Sequence, residues 1–321
     1  MSALALHIQV TQQCTQPPFP MSNHPQAVVL DDHIYMGGGF APSEDVATVL
    51  EFDPCKLEWK KLAKCPTKYF GMAVMKKKLF VVAGTEISGR TKTGRVYSWD
   101  SESMEWKPFP GTSMLAYRST PSVVSYAERW LIAIGGEDKN GQILNSVERL
   151  DIDETPDHKR HWLYCSKLPI KCAHFSSAVV GNKLYTFGTT THGATSRVGM
   201  PSNSVFCAPL DILLSSEANT GAVWQEIMHL PLKASTALSF NGSLLALGGI
   251  EMASIGKASS YIYKLEYDDQ ESPKPVWKKA GDLPCALYQC AGTQFLNNIF
   301  VHGIGSTSAV SEAHVYLYAL V

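Results

Sequence analysis

A motif that returns along the whole chain constrains its fold more than any other feature. "VLEFDPCKLEWKKLAKCP" from Val49, "VYSWDSESMEWKPFP" from Val96 and "VERLDIDETPDHKRHWLYC" from Val147 each end an apolar run on an aspartate (Asp53, Asp100, Asp151). A tryptophan follows in each (Trp59, Trp106, Trp162). Upstream lie six short apolar segments ending in small residues: "IYMGGG" (34–39), "LFVVAG" (79–84), "LIAIGG" (131–136), "LYTFGT" (184–189), "LLALGG" (244–249) and "IFVHGI" (299–304). Another short strand pattern precedes each, and the polar residues between the two ("LDDH", "MKKK", "VGNK", "FNGS") are those of a tight hairpin. The fifth residues, Gly38, Ala83, Gly135, Gly188, Gly248 and Gly303, lie 45, 52, 53, 60 and 55 apart. A fixed period near fifty means that one supersecondary unit is repeated and buries its apolar faces against its neighbours.

Each repeat reads as four strands. After the small residues come a variable loop, a third strand ("VLEFD", "VYSWD", "VERLD", "VFCAP", "IYKLE", "VYLYA") and a fourth centred on Trp59, Trp106, Trp162, Trp224 or Trp277. The sixth repeat stops after its third strand, so the N-terminal "LALHIQVTQQCTQPP" is expected to supply the missing one, leaving no open sheet edge. The aspartates are expected to bond backbone N–H groups in turns, and the tryptophans to fill the wedge between sheets. The glycine pairs suit close backbone approach rather than phosphate binding, because no GxxxxGK[ST] and no long helix follows them.

With these motifs in place, the chain resembles the kelch-repeat β-propellers over essentially its whole length, and the period matches the ~50 residues of kelch repeats rather than the ~40–45 of WD40 blades. Repeat three, "WLIAIGGEDKNGQILNSVERLDID", matches best. Repeats four and six, with "FGTTTHG" and "VHGIGS", depart most. The resemblance implies an all-β, six-bladed propeller of four-stranded antiparallel blades, closed by the N-terminal strand, as a single domain over 1–321. Its blades would be about 24–65, 66–113, 114–169, 170–231, 232–284, and 285–321 with 5–14. It further implies a protein-binding face, although no adaptor domain of the BTB or F-box type is recognisable.

A net charge of -1, with 18% charged residues and no polybasic run, points away from nucleic acid and anionic lipid as partners. No apolar run is long enough for a membrane helix, and "MSALALHIQV" lacks a signal peptide's features. A cytoplasmic monomer is expected, its eight cysteines being reduced thiols without a CxxC spacing. No metal or cofactor is expected. The Glu-x-x-x-Asp-x-x-x-His iron motif of plant specifier proteins is missing from the sequence, and a galactose-oxidase-like copper site would belong to a longer, secreted chain.

In a propeller, the loops joining strands two and three and those joining successive blades crowd one face around the channel. Aligning the blade-to-blade loops brings together His24, Tyr69, Tyr117 with Arg118, His174, Lys233 and Tyr288, and the resemblance places partner-contacting residues at such positions. The second residue after each glycine pair adds Glu86, Asp138 and Glu251, joined by Thr191 and Ser306. Tyrosine and arginine are common interface anchors, and carboxylates would read a partner's basic or hydroxyl groups. The expected function is non-catalytic binding of a peptide or protein, as a scaffold or substrate-recognition subunit. The alternative is a sugar mutarotase or epimerase, with Glu86, Asp138, Glu251, His174 and Arg118 as an acid/base pocket. The long loop "TTTHGATSRVGMPSN" could cover the same face.

Overall fold

The computed structural model describes residues 8–18, 25–38, 47–89, 91–111, 113–153, 161–187, 203–215, 223–252, 257–268, 274–307 and 310–320. Strand β1 is Ile8–Gln13; β2 (Gln26–Leu30), β3 (His33–Gly37), β4 (Leu50–Asp53) and β5 (Glu58–Lys61) form one antiparallel sheet in that order. The two-residue β6 (Thr67–Lys68) adds to a sheet of β7 (Gly71–Met75), β8 (Lys78–Glu86), β9 (Lys92–Asp100) and β10 (Glu105–Pro108). A further meander follows: β11 (Ser122–Tyr126), β12 (Trp130–Ile134), β13 (Val147–Asp151), β14 (Trp162–Tyr164). The next is β15 (Ser176–Val180), β16 (Lys183–Phe187), β17 (Ser204–Pro209) and β18 (Gln225–His229), with helix α1 (Leu210–Ser215) before its last strand.

The short strands β19 (Leu232–Lys233) and β22 (Ile250–Glu251) pair with each other. The remainder, β20 (Thr236–Phe240), β21 (Ser243–Leu247), β23 (Ser259–Tyr267), β24 (Pro275–Phe295), β25 (Asn298–Thr307) and β26 (Val310–Leu320), joins β1 in one seven-stranded sheet. The expected N-terminal strand is there: β1 runs antiparallel to β26, with Ile8 opposite Leu320 and Gln13 opposite Tyr316. Strand β24 belongs to two units at once. Its first half pairs with β23 and its second half with β25.

The hairpins form where expected. Lys76–Lys77 and Asn241–Gly242 carry positive φ at both turn residues, which suits the twist of a two-residue connection. The second strands are continuous apolar runs because they lie mid-sheet with both faces covered; Leu131–Ile134 and Leu244–Leu247 are buried throughout. The core is therefore a set of wedges between neighbouring sheets. Tyr35, Val49 and Leu62 of the first sheet pack with Phe70, Met72, Val81, Trp99 and Trp106 of the second, and Ala73, Phe80 and Val96 of the second with Val123, Leu131 and Trp162 of the third. The first strands line the middle: β2 packs on β7, β7 on β11, β11 on β15, β15 on β20, β20 on β24, and β24 again on β2. This circuit around an axis is a β-propeller.

The recurring residues do structural work. Oδ1 of Asp53 accepts from the N–H groups of Cys55 and Lys56, and that of Asp100 from Glu102 and Ser103. The indole Nε1 groups of Trp59, Trp106 and Trp224 donate to the carbonyls of Thr15, Ala63 and Ser166, where the chain leaves the preceding sheet. Each such tryptophan ties two sheets together.

Candidate functional site

Counting back from the first residue of each inner strand defines the rim position by position. Two residues before it, counting from Ala291 in the second half of β24, the chain is left-handed in each of the five loops described there: Tyr69, Thr120, His174, Ala234 and Gln289 all have φ between 52 and 59°. Three residues before it, Lys68, Ser119 and Lys233 pair with the residue that follows the small pair, namely Thr85, Glu137 and Ile250. Glu86, Asp138 and Glu251 each lie one residue further on, so these three do share one rim position. Tyr69 and His174 are equivalent to each other, while Lys233 and Tyr288 are one place out of step. His24 and Thr191 lie outside the described residues, as does most of the loop expected to cover the face.

Arg118 corrects the sequence-based expectation. It stands four residues before its inner strand, level with Thr67, Cys172, Leu232 and Leu287, and all five are buried. The carbonyls of Arg118, Cys172 and Leu287 accept from the N–H groups of Gly84, Gly136 and Gly249 at 2.9, 2.8 and 2.7 Å, a stitch repeated between successive units. Gly136 has φ +97°, and a Cβ there would meet the Ser119 carbonyl at 2.5 Å. Close backbone approach explains the small pair. The Arg118 side chain turns inward, donating to the carbonyls of Gly135 (2.8 Å) and Ser146 (3.0 Å), to Ser146 Oγ (3.0 Å) and to the Glu148 carboxylate. Both ionic side chains are wholly buried. Burial lowers the pKa of Arg118 and raises that of Glu148. This pair is part of the frame and offers nothing to a partner.

Glu148 has a second task. Its carboxylate accepts from the N–H groups of Leu115 (2.7 Å) and Ala116 (3.0 Å), which fixes the loop carrying Tyr117. Tyr117 is 50% exposed and Leu115 54%. The tyrosine is thus presented to solvent by a rigid support, as the sequence suggested, while the adjacent arginine supplies the support.

The acidic residues are individually engaged. Asp138 shapes its own loop, Oδ1 accepting from the N–H groups of Asn140 and Gln142. Glu251 pairs with Lys257 at 3.4 Å, and Glu86 lies 4.0 Å from Arg95. His174 Nε2 meets Glu137 Oε1 at 3.3 Å, and Lys92 reaches the other oxygen of that carboxylate at 3.3 Å. The hydrogen bond from His174, aided by Lys92, holds the Glu137 carboxyl below its usual range. Sequence reasoning missed Glu137 and Lys92 because neither falls in the aligned columns.

Below the rim, a cavity of about 90 Å³ marks the axis. It is walled by Gln26, Met72, Ser122, Ser176, Thr236 and Ala291, each from a different inner strand. Gln26 spans it, accepting from Met72 N–H at 2.6 Å and donating to the Pro121 carbonyl at 3.3 Å. The cavity has room for only a few water molecules.

Comparison with known proteins agrees with this geometry. The model of the KLHDC2/KLHL20/DRC7 Kelch-repeats domain matches residues 5–189, more than half of the chain, and the protein belongs to the kelch-repeat β-propeller family. It is 30% identical to Kelch-like protein 40 of Xenopus laevis over 152 residues, covering 45% of this chain and 24% of that protein. It is 24% identical to Kelch-like protein 38 of Homo sapiens over 159 residues, covering 48% and 26%. The chain spans about a quarter of the length of these curated relatives. The solved structure of YjhT superimposes with a TM-score of 0.67 over 95% of both chains at 14% identity, which supports the fold alone.

Proposed function

We propose that the chain is a non-catalytic protein-interaction module, a six-bladed propeller whose loop face receives a peptide or protein partner, as a scaffold or substrate-recognition unit. Members of the family typically mediate protein binding. The observation that carries the reading is the presentation of Tyr117 and Leu115, half exposed on a loop whose backbone is fixed by the buried Glu148. Large side chains held rigidly at a surface lose little entropy on binding, which is what an interface anchor needs. The six-blade count is supported by the inner strands around the axis and by the two pairings of β24, which divide the seven-stranded sheet into two blades. A cytoplasmic, reducing setting fits the eight free cysteines.

The epimerase reading needs Glu86, Asp138, Glu251, His174 and Arg118 to converge on one pocket. Burial of Arg118 against Glu148 weakens that set. Affinity capture with the full chain, followed by titration of the captured protein against Tyr117→Ala and Leu163→Ala variants, tests the proposal. Loss of affinity in the first variant alone supports it; loss in the second alone contradicts it. One-dimensional exchange NMR on free sugars tests the enzyme reading, and accelerated anomer exchange would overturn the non-catalytic assignment.

A further inference from the structure

Three of the exposed large apolar side chains, Ile87, Leu115 and Tyr117, belong to neighbouring loops of the second and third sheets. Ile87 follows Glu86 at the end of β8 and is tied down by its N–H bond to the Pro66 carbonyl at 3.1 Å. Leu115 and Tyr117 lie in the segment running beside the start of β9, where Met114 N–H bonds the Gly94 carbonyl at 3.0 Å. Arg95 of β9 follows Gly94, which bonds the one segment, and reaches toward Glu86, the residue before Ile87. Its guanidinium Nη1 lies 4.0 Å from Glu86 Oε1. It is 62% exposed, while the Glu86 carboxylate is 32% exposed. Lys68 of the adjoining β6 pairs with Thr85, on the other face of the sheet from Glu86, and holds its ammonium over the Tyr69 ring; nearby Lys92 and Glu137 offset each other.

We propose that this sector of the rim, which carries the exposed Ile87, Arg95, Leu115 and Tyr117, is the docking surface for an acidic segment of a partner protein that carries aliphatic or aromatic side chains next to an aspartate or glutamate. The inference rests on the protein-binding reading above and narrows it to one sector of the rim and one partner chemistry. Charge complementarity decides the sign. The Arg95 guanidinium is only loosely held by Glu86 at 4.0 Å and is the more exposed of the two, so it can add a bidentate bond to an incoming carboxylate, whereas an incoming cation would meet Arg95 before reaching Glu86. The apolar side chains lose exposed area to the partner's neighbouring residues, and the loop fixed by Glu148 needs no reordering.

The test is selection of phage-displayed random dodecapeptides on the full chain, repeated on the Arg95→Glu variant. The expected result is enrichment of Asp or Glu beside Leu, Ile, Phe or Tyr, with Arg95→Glu shifting the selected charge to Lys or Arg. A synthetic peptide of the selected sequence is expected to bind the triple variant Ile87→Ser, Leu115→Ser, Tyr117→Ser at least about tenfold more weakly, or ~1.4 kcal/mol, with an unchanged melting temperature. It is expected to bind the Met252→Ser, Lys257→Ser variant, altered on another rim loop, as it binds the parent. Enrichment of basic peptides, or peptides that keep their affinity for the triple variant, would overturn this surface while leaving the protein-binding reading in place. No enrichment of any sequence would count against both.

Discussion

Replacing Arg118 by methionine removes the cation of the wholly buried Arg118–Glu148 pair and strands its partners. The guanidinium donates to the Gly135 carbonyl, the Ser146 carbonyl and hydroxyl, and Glu148, and its Nε donates to the Ala116 carbonyl at 3.1 Å. Methionine fills much of the volume, so the loss is electrostatic rather than a cavity. Breaking a buried pair by removing one member costs about 3–5 kcal/mol, because the other charge stays buried and uncompensated. At about 2 °C per kcal/mol for a chain of this size, the melting temperature should fall by roughly 6–10 °C. The deficit should depend on pH. Burial already raises the pKa of Glu148, and loss of Arg118 raises it further. A carboxyl whose pKa is higher folded than unfolded favours the folded state below the unfolded pKa, and that contribution is lost as pH rises through the folded pKa. Scanning calorimetry should therefore show a smaller deficit at pH 5 than at pH 8, and Glu148→Gln in the same chain should restore part of the loss. A variant that melts with the parent, or loses equally at both pH values, would refute this role for the pair.

Trp106→Ala should cost roughly 3–5 kcal/mol in urea unfolding through the cavity left against Trp99 and the lost bond to the Ala63 carbonyl, while Trp106→Phe should cost less. Gly136→Ala should cost about 2–3 kcal/mol, because alanine is strained at φ +97° and its Cβ would press on the Ser119 carbonyl. Glu137→Gln should flatten the acid limb of the stability profile. With its carboxyl held below the usual range by His174 and Lys92, Glu137 contributes stability above the ordinary carboxylate pKa that disappears as pH falls through the depressed one; melting curves from pH 6 to 3 check this.

The strands, hairpins and turn residues were legible in the sequence because each answers to local chemistry that returns from repeat to repeat: apolar runs, positive φ at hairpin turns and, in several repeats, an aspartate that caps a turn or an indole that bridges sheets. The rim was only partly legible, because its register depends on contacts between units. Tyr117 and Arg118 looked like one anchor, yet one points outward and the other into the core, and only the count back from Ser122 separates them. A clue was present in β13. Three residues before the motif aspartates stand Leu50, Tyr97 and Glu148, all buried, so a glutamate in that column called for a buried cation. Lys92 and Arg95 carried no such signal, since their column in the other repeats falls in loops of different length.

Binding of a partner to the loop face, as proposed above, can be read from a single rim residue. It is tested most directly by placing a photo-crosslinking benzoylphenylalanine at Tyr117 or, in a separate variant, at Leu163, the 47%-exposed residue of the outer strand β14. After irradiation in extract, binding at the loop face gives a discrete adduct from position 117 that is absent from position 163. Adducts from position 163 alone would place the binding surface on the blade edge and contradict it.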